Sequence, residues 1–164
     1  MPAEAIGPET GATFLTRQLY GVDARGMTFS WAFGAMRHLG GGSFYLLSVR
    51  DKQRQLLQGE GSYRLVVPSN VPVSQFWSLA VYDLATGAFI RDSAPVSRSS
   101  FVKDLQQNAD GSTDLYFGTI PPDGKQSNWI PTRTDAFFVL FRFYGPQKAV
   151  FDKSWQLPDI EKLS

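Results

Sequence analysis

Apolar residues in this chain gather in short dense runs separated by Gly, Pro and polar turns. The densest run is Phe76-Trp77-Ser78-Leu79-Ala80-Val81-Tyr82-Asp83. Val, Tyr, Phe and Trp suit a pleated, half-buried surface. Alternation places Phe76, Ser78, Ala80 and Tyr82 on one face and Trp77, Leu79, Val81 and Asp83 on the other. Both faces are largely apolar, which predicts a central strand covered on both sides. A second dominant strand is predicted over Phe137 to Tyr144, apolar on both faces except at Arg142. Shorter strands are predicted at 43–50, 63–67 and 113–117, with 88–91 returning antiparallel to the central one.

The remaining segments predict an accessory arm and connections. Residues 8–21 read as a helix, with Pro8 at a first-turn position, Ala12, Leu15 and Leu19 at helical spacing, and Gly21 as a stop. Residues 27–35 fit either period. Met27, Phe29, Trp31 and Phe33 alternate with small residues, whereas Phe29, Ala32, Phe33 and Met36 fit a helix. Gly34 favours the strand, since an interior glycine costs a helix about 1 kcal/mol relative to Ala. Residues 92–107 are polar and Ser-rich, a long surface connection with a helical turn near Phe101 to Leu105. Asn108-Ala109-Asp110-Gly111-Ser112 is a hairpin signal. Residues 121–131 read as irregular, and the tail is expected to dock through Trp155 and Leu157. The sum is an all-β chain, an antiparallel β-sandwich of jelly-roll type with a short N-terminal helix. Residues 1–26 form the arm and 27–164 the sandwich domain.

Composition narrows the chemistry. The chain of 164 residues is 43% hydrophobic and 14% aromatic, enough for one ring-rich core. Its 16 basic residues against 15 acidic ones give no electrostatic footprint for nucleic acid. It has no cysteine, so disulfides, Cys-ligated zinc and thiol catalysis are excluded. No segment approaches a membrane span. The start lacks the basic and apolar regions of a signal peptide. As it stands the chain reads as soluble and cytoplasmic, or as periplasmic if it is part of a longer exported protein. No phosphate-cradling glycine pattern occurs, and no cofactor is expected.

Polar residues at unusual places supply the candidates. Arg142 interrupts an apolar strand and cannot be neutralised, so a buried guanidinium needs a partner. Asp83 and Asp152 are the internal candidates; a ligand carboxylate is one alternative, and simple snorkelling of the charged end to solvent is another. Asn128 and Trp129 follow a Gly/Pro loop, either as its anchor or as an amide and ring for a sugar or other polar ligand. Tyr82 and Tyr144 lie where they could line the same site, as does Tyr116, although aromatic residues in such cores are mostly packing. His38 is the sole histidine, too few for a cupin-type metal site, and it sits in a turn-like setting without a nucleophile elbow. Asp83, Asp123, Asp135 and Asp152 are available for acid–base work, but nothing selects a pair.

Several stretches together resemble a known family. They are Tyr63-Arg64-Leu65, Pro72-Val73, Phe76 to Leu79, Tyr82-Asp83, Asn108 to Ser112, Asn128-Trp129-Ile130-Pro131, Phe141 to Tyr144 and Val150 to Trp155. In this order they resemble the domain-of-unknown-function family 1214 across roughly residues 43–162. That resemblance implies a jelly-roll-like fold and no agreed activity. It also implies a bacterial setting in which the domain follows a companion domain numbered 1254, here without a counterpart.

The expected function is therefore a non-catalytic binding or assembly module for a small polar ligand such as a carbohydrate, with a homo-oligomer or a 1254-type domain as partner. Tyr82, Asp83, Asn128, Trp129, Arg142 and Tyr144 are the expected ligand-binding residues. A hydrolase using carboxylates or His38 is one alternative. A purely structural interaction domain of a larger exported protein is another.

Overall fold

The computed structural model describes residues 42–90 and 93–163. The expected helix at 8–21, the segment at 27–35, His38 and the boundary between arm and domain lie outside them. Among the described residues there are eight strands: β1 (Ser43–Ser48), β2 (Tyr63–Val67), β3 (Val73–Asp83), β4 (Ser97–Ser99), β5 (Thr113–Gly118), β6 (Trp129–Pro131), β7 (Phe137–Pro146) and β8 (Glu161–Lys162). A 3-10 turn at Gln126–Asn128 and a four-residue helix, α1 (Lys148–Phe151), complete them.

The strands form two four-stranded sheets, ordered β1-β7-β3-β4 and β6-β5-β2-β8. The two most apolar runs, β3 and β7, are neighbours at the centre of the first sheet. Their antiparallel register runs from Phe76 opposite Tyr144 to Asp83 opposite Phe137. Central position explains why neither strand has a polar face. Trp77, Leu79 and Val81 of β3 and Phe137, Val139, Phe141 and Phe143 of β7 face one core. Tyr63, Leu65 and Val67 of β2, Leu115 and Phe117 of β5 and Ile130 of β6 meet them from the other sheet. Burying one such side chain contributes about 1.5–3 kcal/mol. Rings interlock within the core: Trp77 stacks on Phe141 at 5.4 Å, and Tyr63 meets Phe137 edge-on at 5.7 Å. The buried Tyr63 hydroxyl accepts the Gln58 amide at 3.0 Å.

Several segments differ from expectation. The 92–107 connection contains β4, which pairs with Ser78, Leu79 and Ala80. Near Phe101 to Leu105 only turn bonds form, Val102 to Ser99 and Leu105 to Val102, rather than a helical turn. Of the return expected at 88–91, the described residues show a single antiparallel bridge between Tyr82 and Phe89. The turn at Asn108–Ser112 forms, with Gly111 at φ +81 and the Asn108 amide bonded to the Ser112 carbonyl. It is not a β-hairpin, because β5 pairs with β2 and β6. The irregular 121–131 segment ends in β6, which runs parallel to β5, so the all-β architecture is not wholly antiparallel. Trp155 and Leu157 pack against the core as expected, and β8 then pairs with β2.

Candidate functional site

The face of the β1-β7-β3-β4 sheet turned away from the core holds the most unusual polar group. Register assigns it Phe76, Ser78, Ala80 and Tyr82 from β3, and Tyr144, Arg142, Leu140 and Phe138 from β7. Strand β1 adds Tyr45 opposite Arg142 and Leu47 opposite Leu140. Two rows of rings cross this face. In the first, Phe101 lies 4.7 Å from Phe76, which stacks on Tyr144 at 4.1 Å and 13°. In the second, Phe89 stacks on Tyr82 at 4.7 Å, and Tyr82 on Phe138 at 5.0 Å and 9°. Phe101 is 68% exposed and Phe89 48%, so each row ends in a ring open to solvent.

Arg142 lies between the rows. Its guanidinium carbon is 6.0 Å from the Tyr45 ring centroid and 5.8 Å from that of Tyr82, within cation–π range. Nη2 donates to the Tyr82 hydroxyl. That contact spans two cross-strand rows, so the two side chains reach towards each other over Leu140 and Ala80, which are 4% and 2% exposed. Nε is buried and has no acceptor among the described residues. Burial holds the Tyr82 phenol above its ordinary pKa, and the nearby Arg142 charge only partly opposes this. The phenol is therefore neutral at physiological pH and does not itself compensate the guanidinium charge.

The carboxylate pairing expected for Arg142 does not form. Among the described residues the ion pairs are Lys52–Glu161 at 2.9 Å and Arg64–Glu161 at 3.0 Å. Asp83 neighbours Tyr82 in the strand and so points to the opposite face. It accepts the Thr86 amide at 2.7 Å, the Thr86 hydroxyl at 2.8 Å and the Thr134 hydroxyl. Burial opposes its ionisation, but bonds from Thr134, Thr86 and the Ala85 amide outweigh burial and hold the carboxyl below its usual value. Asp152 is exposed and accepts the Ser154 amide at 3.0 Å.

Asn128 and Trp129 belong to the other sheet. Asn128 is 1% exposed. Its Oδ1 accepts the Gln106 amide at 2.8 Å and the Ser127 hydroxyl at 3.2 Å. Its Nδ2 donates to the carbonyls of Gln106 and Asp114, both at 2.8 Å. Trp129 Nε1 donates to the Gly118 carbonyl at 3.0 Å. This is the geometry of a loop anchor: each polar atom is engaged within the chain. Tyr116 sits on β5, opposite Trp129, apart from Tyr82 and Tyr144.

Tyr82, Arg142 and Tyr144 are thus together on one face, and Asp83, Asn128 and Trp129 are elsewhere. Phe76 and Ser78, on the face that alternation assigns to Tyr82, complete the Arg142 surroundings together with Tyr45 and Phe138, which the sequence does not single out. Alternation within Ser43–Ser48 and Phe137–Pro146 holds that signal once the register is known. Arg98, also unanticipated, donates to the Gln126 carbonyl at 3.2 Å and ties β4 to the Asn128 loop.

Other features are sparse. Among the described residues no group of three or more His, Cys, Asp or Glu could hold a metal ion, and no helix is long and apolar enough to cross a membrane. An open hollow is lined by Asp51, Gln53, Gln55, Lys162 and Leu163.

The sequence over residues 42–148 matches the family described as "Protein of unknown function (DUF1214)". The chain belongs to the DUF1214 family. Its matched stretch runs from β1 through β7 and so contains the whole Arg142 face. Among curated proteins none matches. Among solved structures, the chain is similar to the VPA0106 protein from Vibrio parahaemolyticus, with a TM-score of 0.68 and 21% identity. That match covers 94% of this chain and 39% of VPA0106, so the chain spans about two fifths of that protein. An uncharacterised protein from Burkholderia cenocepacia is more distantly similar, with a TM-score of 0.48 and 16% identity over 74% of this chain and 29% of that one. The likeness to VPA0106 is one of fold.

Proposed function

We propose that this DUF1214 chain is a non-catalytic binding or assembly module whose working surface is the Arg142 face. The frame we infer for it is a jelly-roll-type β-sandwich with a short N-terminal helix. One observation carries the reading: a permanently charged guanidinium sits among aromatic rings with neither a carboxylate partner nor an acceptor for Nε among the described residues. A buried donor left unsatisfied costs about 1–3 kcal/mol. A small polar ligand, or an acidic group of a partner, that reached Arg142 would remove that cost. Tyr82 and Tyr144 would flank it. Asp83, Asn128 and Trp129 take supporting roles in holding turns and loops.

Among the described residues, the carboxyls of Asp83, Asp110, Asp152 and Glu161 are held low by their hydrogen bonds, with burial opposing. None of these four has the raised pKa of a general acid working near neutrality. The assembly form of the reading draws on the exposed Phe89 and Phe101, and on the chain spanning only 39% of VPA0106. Further domains of a longer protein, such as a 1254-type companion, or a second copy would cover such rings.

The test is a thermal-shift screen of the full chain against sugars and small acids, run in parallel with Arg142→Met. A ligand that binds the native state raises its apparent stability. The expected result is a shift present in the parent and absent in the variant. No shift in the screen, together with light scattering that detects a monomer at every concentration, contradicts both forms of the proposal.

A further inference from the structure

From the same face we infer the class of ligand: an aromatic or otherwise apolar carboxylate, rather than a neutral sugar. This deepens the binding-face reading and rests on it. The charge argument fixes the anionic end. Arg142 has no carboxylate counter-ion among the described residues, and its planar fork suits the two oxygens of a carboxylate. Its Nη2 already meets a neutral phenol hydroxyl, so the contact still missing is to negative charge.

The surroundings fix the apolar end. Beside Arg142 the face carries two small half-buried residues, Ser78 on β3 and Ser99 opposite it on β4, while Ala80 lies buried under the Arg142–Tyr82 contact. Rings stand at both ends of this floor, Phe76 and Phe101 at one and Tyr82 and Phe89 at the other. Phe76 and Tyr82 are six residues apart along the strand, roughly 20 Å at about 3.3 Å per residue. A small ring set over Ser78 and Ser99, against Phe76 and Phe101, would reach Arg142 with its carboxylate, since Arg142 lies opposite Ser78 in the register. Phe89, stacked on Tyr82, and Phe101, tilted against Phe76, would each offer a ring with a side open to solvent. A sugar needs many hydrogen-bonding partners, and this slot is walled mainly by phenylalanine. An apolar body gains more there, because its burial removes solvent-exposed aromatic surface.

Calorimetric titration of the full chain tests the inference. The probes are benzoate, its neutral isostere benzamide, glucose and glucuronate, against the parent and the variants Arg142→Met, Arg142→Lys and Phe101→Ala. Melting curves verify that each variant is folded, and the exposed Phe101 keeps one variant free of folding risk. Benzoate is expected to bind the parent and benzamide not to. Arg142→Met should weaken benzoate about tenfold or more, and Arg142→Lys should restore part of that loss, since a point charge replaces a bidentate fork. Phe101→Ala should weaken it by about threefold, the loss of one ring contact. Equal binding of benzamide, or benzoate binding untouched by Arg142→Met, overturns the inference. Glucose or glucuronate binding that depends on Arg142, with benzoate silent, overturns the ligand class and leaves the face standing. Silence from all four probes, with self-association that Arg142→Met abolishes, overturns the ligand class and leaves assembly standing. Silence with no association overturns both.

Discussion

Arg142 and Asp83 lie on opposite faces of one sheet. Arg142 is opposite Ser78 in the register, which sets it on the face of Tyr82, while Asp83 is one residue beyond Tyr82 and therefore turned through the sheet. The strand thus separates the two charges, and each must be satisfied independently. Asp83 is satisfied by threonines; Arg142 is left with a phenol and two rings.

Removing the Arg142 charge is accordingly expected to leave stability intact. Arg142→Met deletes a buried unsatisfied donor and keeps much of the apolar stem, so urea unfolding should give a change between zero and about 1 kcal/mol in the stabilising direction. A loss of several kcal/mol would mean that the guanidinium is a structural tie rather than a binding group.

Asn128 predicts the reverse. Asn128→Ala removes four hydrogen bonds and takes the side-chain donor from the carbonyls of Gln106 and Asp114. The expected cost is on the order of 3 kcal/mol in urea unfolding, at about 1 kcal/mol or more for each bond lost. A cost below about 0.5 kcal/mol, the size of an ordinary surface change, would show that the loop does not depend on this anchor.

Asp83 carries a pH dependence. Its folded-state pKa is depressed, so the stability it contributes is present in full above its unfolded value of about 4. That contribution is lost as pH falls through the lower folded value. Asp83→Asn should therefore be less stable than the parent at neutral pH, with the gap narrowing as acid is added below about pH 4. Melting temperatures of both proteins between neutral and acid pH measure this; a gap of constant size would contradict it.

Gly59 marks a close approach between loops. A Cβ there would overlap the Thr134 carbonyl oxygen and stand 2.7 Å from that of Thr132. The Thr132 hydroxyl also donates to the Gly59 carbonyl at 2.9 Å. Gly59→Ala is expected to destabilise by about 1–3 kcal/mol, the range of an overpacked core. A neutral substitution in thermal melts would mean that the 132–135 loop yields easily.

Much of the frame was legible in the residues because β3 and β7 lie at the centre of a sheet and must be apolar on both faces. The same logic found β1, β2 and β5. Strands β4 and β6 carried no such signal: Ser97-Arg98-Ser99 is polar, and Trp129-Ile130-Pro131 is only three residues long and ends in proline. The candidate site was half legible. Arg142 stood out as a charge within an apolar run, and Tyr82 and Tyr144 were named with it. Its companions Tyr45 and Ser78 depend on which residues of β1 and β3 fall opposite β7, a relation local sequence does not contain. Asp83 was misassigned as a partner although its adjacency to Tyr82 already set it on the other face. Asn128 could be read as anchor or ligand group until its four bonds were traced.

The most direct test of the Arg142 face is where a ligand is felt. Backbone amide shifts of the isotope-labelled full chain, followed by NMR during a benzoate titration, report this residue by residue. The account predicts shifts centred on Ser78, Tyr82, Arg142 and Tyr144, lost in Arg142→Met. Shifts centred on Asn128 and Trp129, or on the hollow at Asp51 and Lys162, or none at concentrations where the calorimeter detects binding, would contradict it.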